Sequence, residues 1–226
     1  MDPYGIKKQN FRNKLVTDNR DFLQDKLFLE FGVMQGHSMV DFRSAYMSND
    51  INAEFYGFDS FEGLPEEKLD KNTPWPTGKF SCNGEIHQNI QVMHDVNILL
   101  LNHHITNHDV NIVKGWFSDT LTDSLLENFG NKKIGIVHVD CDIYTATVEV
   151  LEYIIQNDLL CDGSIIVYDD WGAYLMNDST KHDEYSVAEA KAHKEIVEKY
   201  NLNLELIYKE VIDPTFYVMT AFRYKK

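Results

Sequence analysis

Basic residues, cysteines, prolines and long apolar runs are all scarce in this chain of 226 residues. Lys and Arg number 21 against 36 Asp and Glu, a formal charge of −15. Carboxylates in that excess repel a phosphate backbone over most of the surface, which removes nucleic acid from the expected partners. The three cysteines, Cys82, Cys141 and Cys161, are odd in number and scattered, so they offer neither a disulfide framework nor the paired spacing of a zinc site. A reducing, cytoplasmic setting is expected. The longest apolar stretches, such as Ile134 to Val139 and Ser164 to Tyr168, are far too short to cross a bilayer, and Met1 to Asn10 lacks the apolar centre of a secretion signal. No membrane partner is expected.

The composition that remains, 43% hydrophobic and 25% charged, is that of a globular protein with one sizeable core, and a single domain over 1–226 is expected. Short apolar runs alternate with amphipathic stretches. Lys26 to Val33, Glu54 to Phe58, Val110 to Lys114, Ile134 to Val139 and Ser164 to Tyr168 are β-branched or aromatic runs bounded by polar residues or Gly, the pattern of strands covered on both faces. Ser38 to Met47, Ser118 to Asn128 and Tyr144 to Asn157 carry helical spacing between them. Strand, helix and strand in succession imply an α/β fold with a mostly parallel sheet. Glu184 to Tyr200 reads as a further helix, followed by two strand-like runs, Leu204 to Tyr208 and Phe216 to Phe222, that suit a C-terminal antiparallel hairpin. Residues 64–84 and 171–183 break the rhythm, the first with Pro65, Pro74, Pro76, Gly78 and Gly84. Stretches of this kind are usually functional.

Ligands of an open parallel sheet sit beyond the carboxyl ends of its strands, so the residues just after each strand are the candidates for chemistry. The first strand leads through Glu30 and Gly32 to Gly36 and Ser38, a glycine-bearing turn that opens a helix without forming a dinucleotide fingerprint or a Walker loop. The second ends at Asp59-Ser60, where an acidic residue can grip a ribose diol. The third runs into Gly115-Trp116-Phe117, either a flat surface for a purine or part of the core, with Ser118 as a candidate helix cap. The fourth and fifth end in Asp140-Cys141-Asp142 and Asp169-Asp170. Four carboxylates on neighbouring strand ends repel one another unless protons or a cation neutralise them, and oxygen ligands favour Mg²⁺ or another divalent cation over zinc. Asp142 has a second reading as the cap of the following helix. His138, next to Asp140 on its strand, is either a core residue or one that faces substrate; His103, His104 and His108 read as a solvated loop.

Five motifs in order resemble the macrocin O-methyltransferase (TylF/MycF) family of class I S-adenosylmethionine-dependent methyltransferases: Glu30-Phe-Gly32-Val-x-x-Gly36-x-Ser38, Phe58-Asp59-Ser60-Phe61-Glu62-Gly63-Leu64-Pro65, Lys114-Gly115-Trp116-Phe117-x-Asp119-Thr120-Leu121, Val139-Asp140-x-Asp142-x-Tyr144-x-x-Thr147 and Val167-Tyr168-Asp169-Asp170-Trp171. The resemblance implies a Rossmann-like, seven-stranded sheet with helices on both faces. It places Glu30, Gly32, Gly36 and Ser38 around the methionine part of the cofactor, Asp59 and Ser60 at its ribose, and Gly115, Trp116 and Phe117 at its adenine. It assigns a metal to Asp140, Asp169 and Asp170 and the general base to Asp142, which could instead bind the metal. His138 is a further catalytic candidate.

The expected reaction is methylation of a hydroxyl on a sugar or glycosylated small molecule, with 1–26 as an N-terminal lid and 64–84 and 171–183 as acceptor-side loops. A homo-oligomer is compatible with the family. Cys141 and Ile143 stand where the family often has Gly and Leu, and Trp171 where Tyr is common, all beside the expected acceptor site. The competing readings are a catechol-type phenol as acceptor and an NAD(P)-dependent Rossmann oxidoreductase.

Overall fold

The computed structural model describes residues 3–71, 73, 75–81, 110–171, 185–213 and 217–226. Seven strands form one sheet: β1 (Lys26–Phe31), β2 (Ala53–Asp59), β3 (Asn111–Lys114), β4 (Ile134–Val139), β5 (Ile165–Tyr168), β6 (Asn203–Asp213) and β7 (Tyr217–Lys225), in the order β3-β2-β1-β4-β5-β7-β6. The first five are parallel, and β7 pairs antiparallel with both β5 and β6. The central strands are buried on both faces and split by the period of two. In β1, Phe28 faces one apolar cluster while Leu27, Leu29 and Phe31 face the other; in β5, Ile165 and Val167 oppose Ile166 and Tyr168.

Among the described residues, seven helices flank the sheet: α1 (Pro3–Asp18), α2 (Arg20–Leu23), α3 (His37–Ser48), α4 (Phe117–Thr120), α5 (Asp123–Phe129), α6 (Tyr144–Gln156) and α7 (Ala188–Tyr200). α6 turns Ala146, Val150, Leu151 and Ile154 inward, with Val148 and Ile155 partly buried beside them. Helix and strand positions follow the expectation with three informative differences. Ser118 to Asn128 is two helices, because the Thr120 hydroxyl returns to the Trp116 carbonyl at 3.0 Å and Thr122 is extended at the start of the second. Ser118 lies inside α4 and Trp116 stands at its N-cap, so Ser118 is not the cap. The hairpin strands run longer than the apolar runs, since an edge strand tolerates the charges of Glu205, Lys209 and Glu210.

The N-terminal segment departs furthest from expectation. It forms a helix that buries Phe11, Leu15 and Val16 in the same cluster as Phe28 and Phe42 of the sheet and α3. Its Lys8 side chain forms part of the wall of the cavity at the strand ends. The strand order reverses between β1 and β4, and that switch point locates the site.

Candidate active site

A cavity of about 470 Å³ opens at the carboxyl ends of β1, β2, β4 and β5. On its β1 side Gly32 has φ +93°, and a Cβ there would lie 1.9 Å from the Asp140 carbonyl oxygen, so only glycine allows the first turn to touch the end of β4. Asp59 closes the next position. Its two oxygens accept N–H groups of Met34 at 2.7 Å and Phe61 at 2.6 Å, leaving lone pairs toward the cavity. Burial raises the Asp59 pKa against the pull of those N–H groups. Ser60, Gly115, Trp116 and Phe117 line the same end. Glu30, Gly36 and Ser38 do not: Gly36 begins α3, and the Ser38 hydroxyl donates to the fully buried Glu30 beneath the cavity floor.

The other end holds Asp140, Asp142, Asp169 and Asp170. Their charges are balanced in part by groups the motifs do not contain. Asp169 Oδ1 accepts from Arg12 at 2.9 Å and lies 3.3 Å from His138 Nε2, and Asp169 Oδ2 accepts from the Lys8 ammonium. Burial opposes its charge, yet Lys8, Arg12 and His138 outweigh burial and hold the Asp169 pKa well below the usual carboxylate range. Lys8 is held above an ordinary lysine because Asp169, Asp140 and Asp170 overcome its own desolvation.

The remaining acids lack such partners. Burial first, then Asp169, pushes Asp170 up to about 6, and burial with its acidic neighbours raises Asp140 and Asp142 well above the usual range. After burial, the charge of Asp170 does most to disfavour the Asp142 anion.

Asp142 is not a helix cap. Ile143 occupies the N-cap of α6, where its own side chain makes no capping bond, while Asp142 takes a left-handed φ of +60°. Its conformation is held from behind by Glu189, fully buried in the first turn of α7. Glu189 accepts the N–H groups of Cys141 at 3.0 Å, Asp142 at 3.3 Å and Asp170 at 3.3 Å, so one carboxylate grips the ends of two strands.

His138 is also corrected. It is 0% exposed, does not line the cavity, and sits between Asp169 and Glu30, whose Oε1 is 3.6 Å from Nδ1. Burial lowers its pKa, but the hydrogen bond to Asp169 and the negative charge of Glu30 beside it outweigh burial and carry it to about 9. It lies against Asp169 from outside the cavity.

Two expectations on the acceptor side change. Trp171 lies in the core against Tyr168, His193 and Phe222, away from the cavity, while Cys141 does line it and Ile143 is fully buried. Of 64–84, Leu64 to Glu66 and Phe80 reach the cavity; residues 172–183, Cys82, and His103, His104 and His108 lie outside the described residues. Lys8, Arg12 and Glu189 were missed because they come from helices far away in the chain. The one signal was a pair of cations four residues apart, Lys8 and Arg12, in a chain short of them.

Strand order, cavity and the Asp59 and carboxylate positions together define a class I methyltransferase. A profile of the macrocin O-methyltransferase (TylF) family matches residues 8–198, and the chain belongs to that family; it is an S-adenosylmethionine-dependent O-methyltransferase. The oxidoreductase alternative lapses with that membership. Among solved structures, the O-methyltransferase NovP is similar over 98% of this chain and 81% of its own, at 19% identity and a TM-score of 0.66. The calicheamicin methyltransferase CalS11 matches over 95% and 76% at 20% identity and 0.64, and an O-methyltransferase from Bacillus cereus in complex with SAH over 97% and 81% at 13% and 0.58. A comparison with curated proteins finds no match. Among the described residues no helix is long and apolar enough to cross a membrane.

Proposed function

We propose that this enzyme methylates a hydroxyl of a sugar or sugar-bearing small molecule with the help of a divalent cation, Mg²⁺ by ligand chemistry. The carrying observation is the state of Asp170: its Oδ1 is buried with no hydrogen-bond partner, beside Asp140 and Asp142, which burial and repulsion also disfavour as anions. An all-oxygen set short of positive charge fits a hard cation. Asp140, Asp169 and Asp170 would hold it. His138 lies close to Asp140 and Asp169, but a ring held protonated between two carboxylates has no lone pair to give. CalS11 is described as a TDP-rhamnose 3'-O-methyltransferase, which supports a sugar acceptor here.

S-adenosylmethionine supplies an electrophilic methyl group on a sulfonium. Asp59 would accept hydrogen bonds from its ribose hydroxyls, and Trp116 and Phe117 would flank its adenine. A bound cation supplies Lewis acidity that makes an alcohol easier to deprotonate. Asp142 takes the proton of the acceptor hydroxyl on its carboxylate, and Glu189 keeps that carboxylate aimed by fixing the backbone on which it stands. The cavity walls at Leu64, Pro65 and Phe80 exclude water and align the acceptor oxygen.

The test is incubation with labelled S-adenosylmethionine and a panel of nucleotide sugars, glycosides and catechols, with and without chelator. Label should pass to a sugar hydroxyl and stop on chelation. Full turnover in excess chelator removes the cation, and transfer to catechols alone removes the sugar.

A further inference from the structure

Asp169 presents two oxygens, and groups of this chain hold both. Oδ1 is enclosed by Arg12 and His138, buried side chains that do not line the cavity. Arg12 is pinned a second time by Asp41 at 2.8 Å. Among the described residues, the hydrogen-bonding partner of Oδ2 is Lys8, whose side chain is 22% exposed and forms part of the cavity wall. A cation arriving from the cavity therefore meets Asp169 on the side where an ammonium already stands.

We propose that Lys8 is a tethered cation that competes with the divalent ion for Asp169 Oδ2, so that loading the site requires the ammonium to swing away. The proposal rests on the reading of Asp140, Asp169 and Asp170 as cation ligands. Two positive charges cannot share one carboxylate oxygen without strong repulsion. Lys8 is the partner built to leave. It is a compact charge on a flexible four-carbon stem with an open cavity beside it, whereas Arg12 is a planar fork held by two carboxylates and His138 has no free space. Because Lys8 stands on α1, the N-terminal helix and the ion site become one linked system. The empty cluster is partly neutralised by the chain itself, and the ion's apparent affinity is reduced by the Lys8 contact it displaces.

The experiment is a titration of the full chain, saturated with S-adenosylhomocysteine, with Mn²⁺, free Mn²⁺ being read by its electron paramagnetic resonance signal. Wild type is compared with Lys8→Met, Lys8→Gln and Lys8→Arg, and calorimetric affinity for S-adenosylhomocysteine without Mn²⁺ reports that each is folded. Lys8→Met and Lys8→Gln should bind Mn²⁺ about tenfold or more tightly than wild type, and Lys8→Arg no more tightly than wild type. Equal or weaker binding by both neutral variants overturns the competition while leaving the ion site standing. Intact S-adenosylhomocysteine binding with no Mn²⁺ binding in any form removes the ion site and this proposal together, and the methyltransferase assignment survives.

Discussion

Asp142 adopts a backbone conformation that side-chain-bearing residues other than Asn and Asp rarely visit, φ +60°, and it stands at the point where β4 hands over to α6. Such a residue persists only when its surroundings fix it, and here the buried Glu189 carboxylate does so through the N–H groups of Cys141 and Asp142. Asn tolerates the same conformation, which makes Asp142→Asn a clean test of chemistry. It should lower kcat by about a hundredfold or more while affinity for S-adenosylhomocysteine stays within about threefold. A loss of less than tenfold would return the proton to another acceptor.

The four strand-end aspartates were legible in the sequence because each doublet closes an apolar run. Lys8, Arg12 and Glu189 were not, because they meet Asp169, Asp169 and Asp142 only through tertiary docking, across 161, 157 and 47 residues respectively. The same fact changes what Asp169 can test. Removing it would strip Lys8, Arg12 and His138 of a shared partner, so a loss of activity there would mix catalysis with buried uncompensated charge.

Between elements, residues 64–71 are tied to the starts of two helices. Glu67 accepts the N–H of Thr145 at 2.8 Å and its hydroxyl at 2.6 Å, serving α6 as the cap its own sequence lacks, and Asp70 accepts the N–H of Ala188 at 2.9 Å at the start of α7. Two acids three residues apart thus dock the acceptor-side segment on the helices that carry Thr145, at the cavity, and Glu189, behind it. Glu67→Ala should cost about 1–2 kcal/mol of unfolding free energy in denaturant titrations. It should also raise KM for the acceptor more than for S-adenosylmethionine. Equal rises in both would show that the segment does not discriminate between the two ligands.

This docking could not be read from spacing, since a cap supplied from 78 residues away leaves no local pattern. α6 itself could be read, because its apolar stripe is local. The N-terminal helix lies between these cases: Phe11, Leu15 and Val16 form a short stripe, but only contact with α3 and β6 gives it a surface to bury against.

At the scale of the whole molecule, a mostly parallel sheet with a C-terminal antiparallel hairpin was legible from the alternation of strands and helices, whereas the strand order was not. Nor was the distribution of charge. The net −15 conceals a buried cluster in which Lys8, Arg12 and His138 offset part of the acidity. A second buried histidine governs the acid limit of the fold. His193 Nδ1 lies 3.1 Å from the Tyr168 hydroxyl, in hydrogen-bond contact with it amid Trp171 and Phe222, and burial lowers its pKa to about 3. The unfolded chain takes up that proton near the ordinary value of 6.5 and the folded one only near 3, so stability is full above 6.5 and falls as pH drops through that window. The loss reaches on the order of a few kcal/mol at the acid end. His193→Gln, which keeps a hydrogen-bond partner for Tyr168 but cannot titrate, should flatten the dependence measured by urea unfolding between pH 6.5 and 4. The same slope in both proteins would assign acid sensitivity to the carboxylates instead.

The contact of Gly32 with the Asp140 carbonyl sets a tolerance for the whole enzyme. On the reading proposed above, donor seat and acceptor seat stand on adjacent hydrogen-bonded strands, so their spacing is inherited from the pitch of a β-sheet, about 4.8 Å per strand, and not from any loop. Reach is therefore the invariant of this scaffold and fit its variable. A redesign aimed at a new acceptor has the segment around Leu64, Pro65 and Phe80 as its free parameter, whereas any bulk added at position 32 would push apart the two reactants that the sheet holds in register.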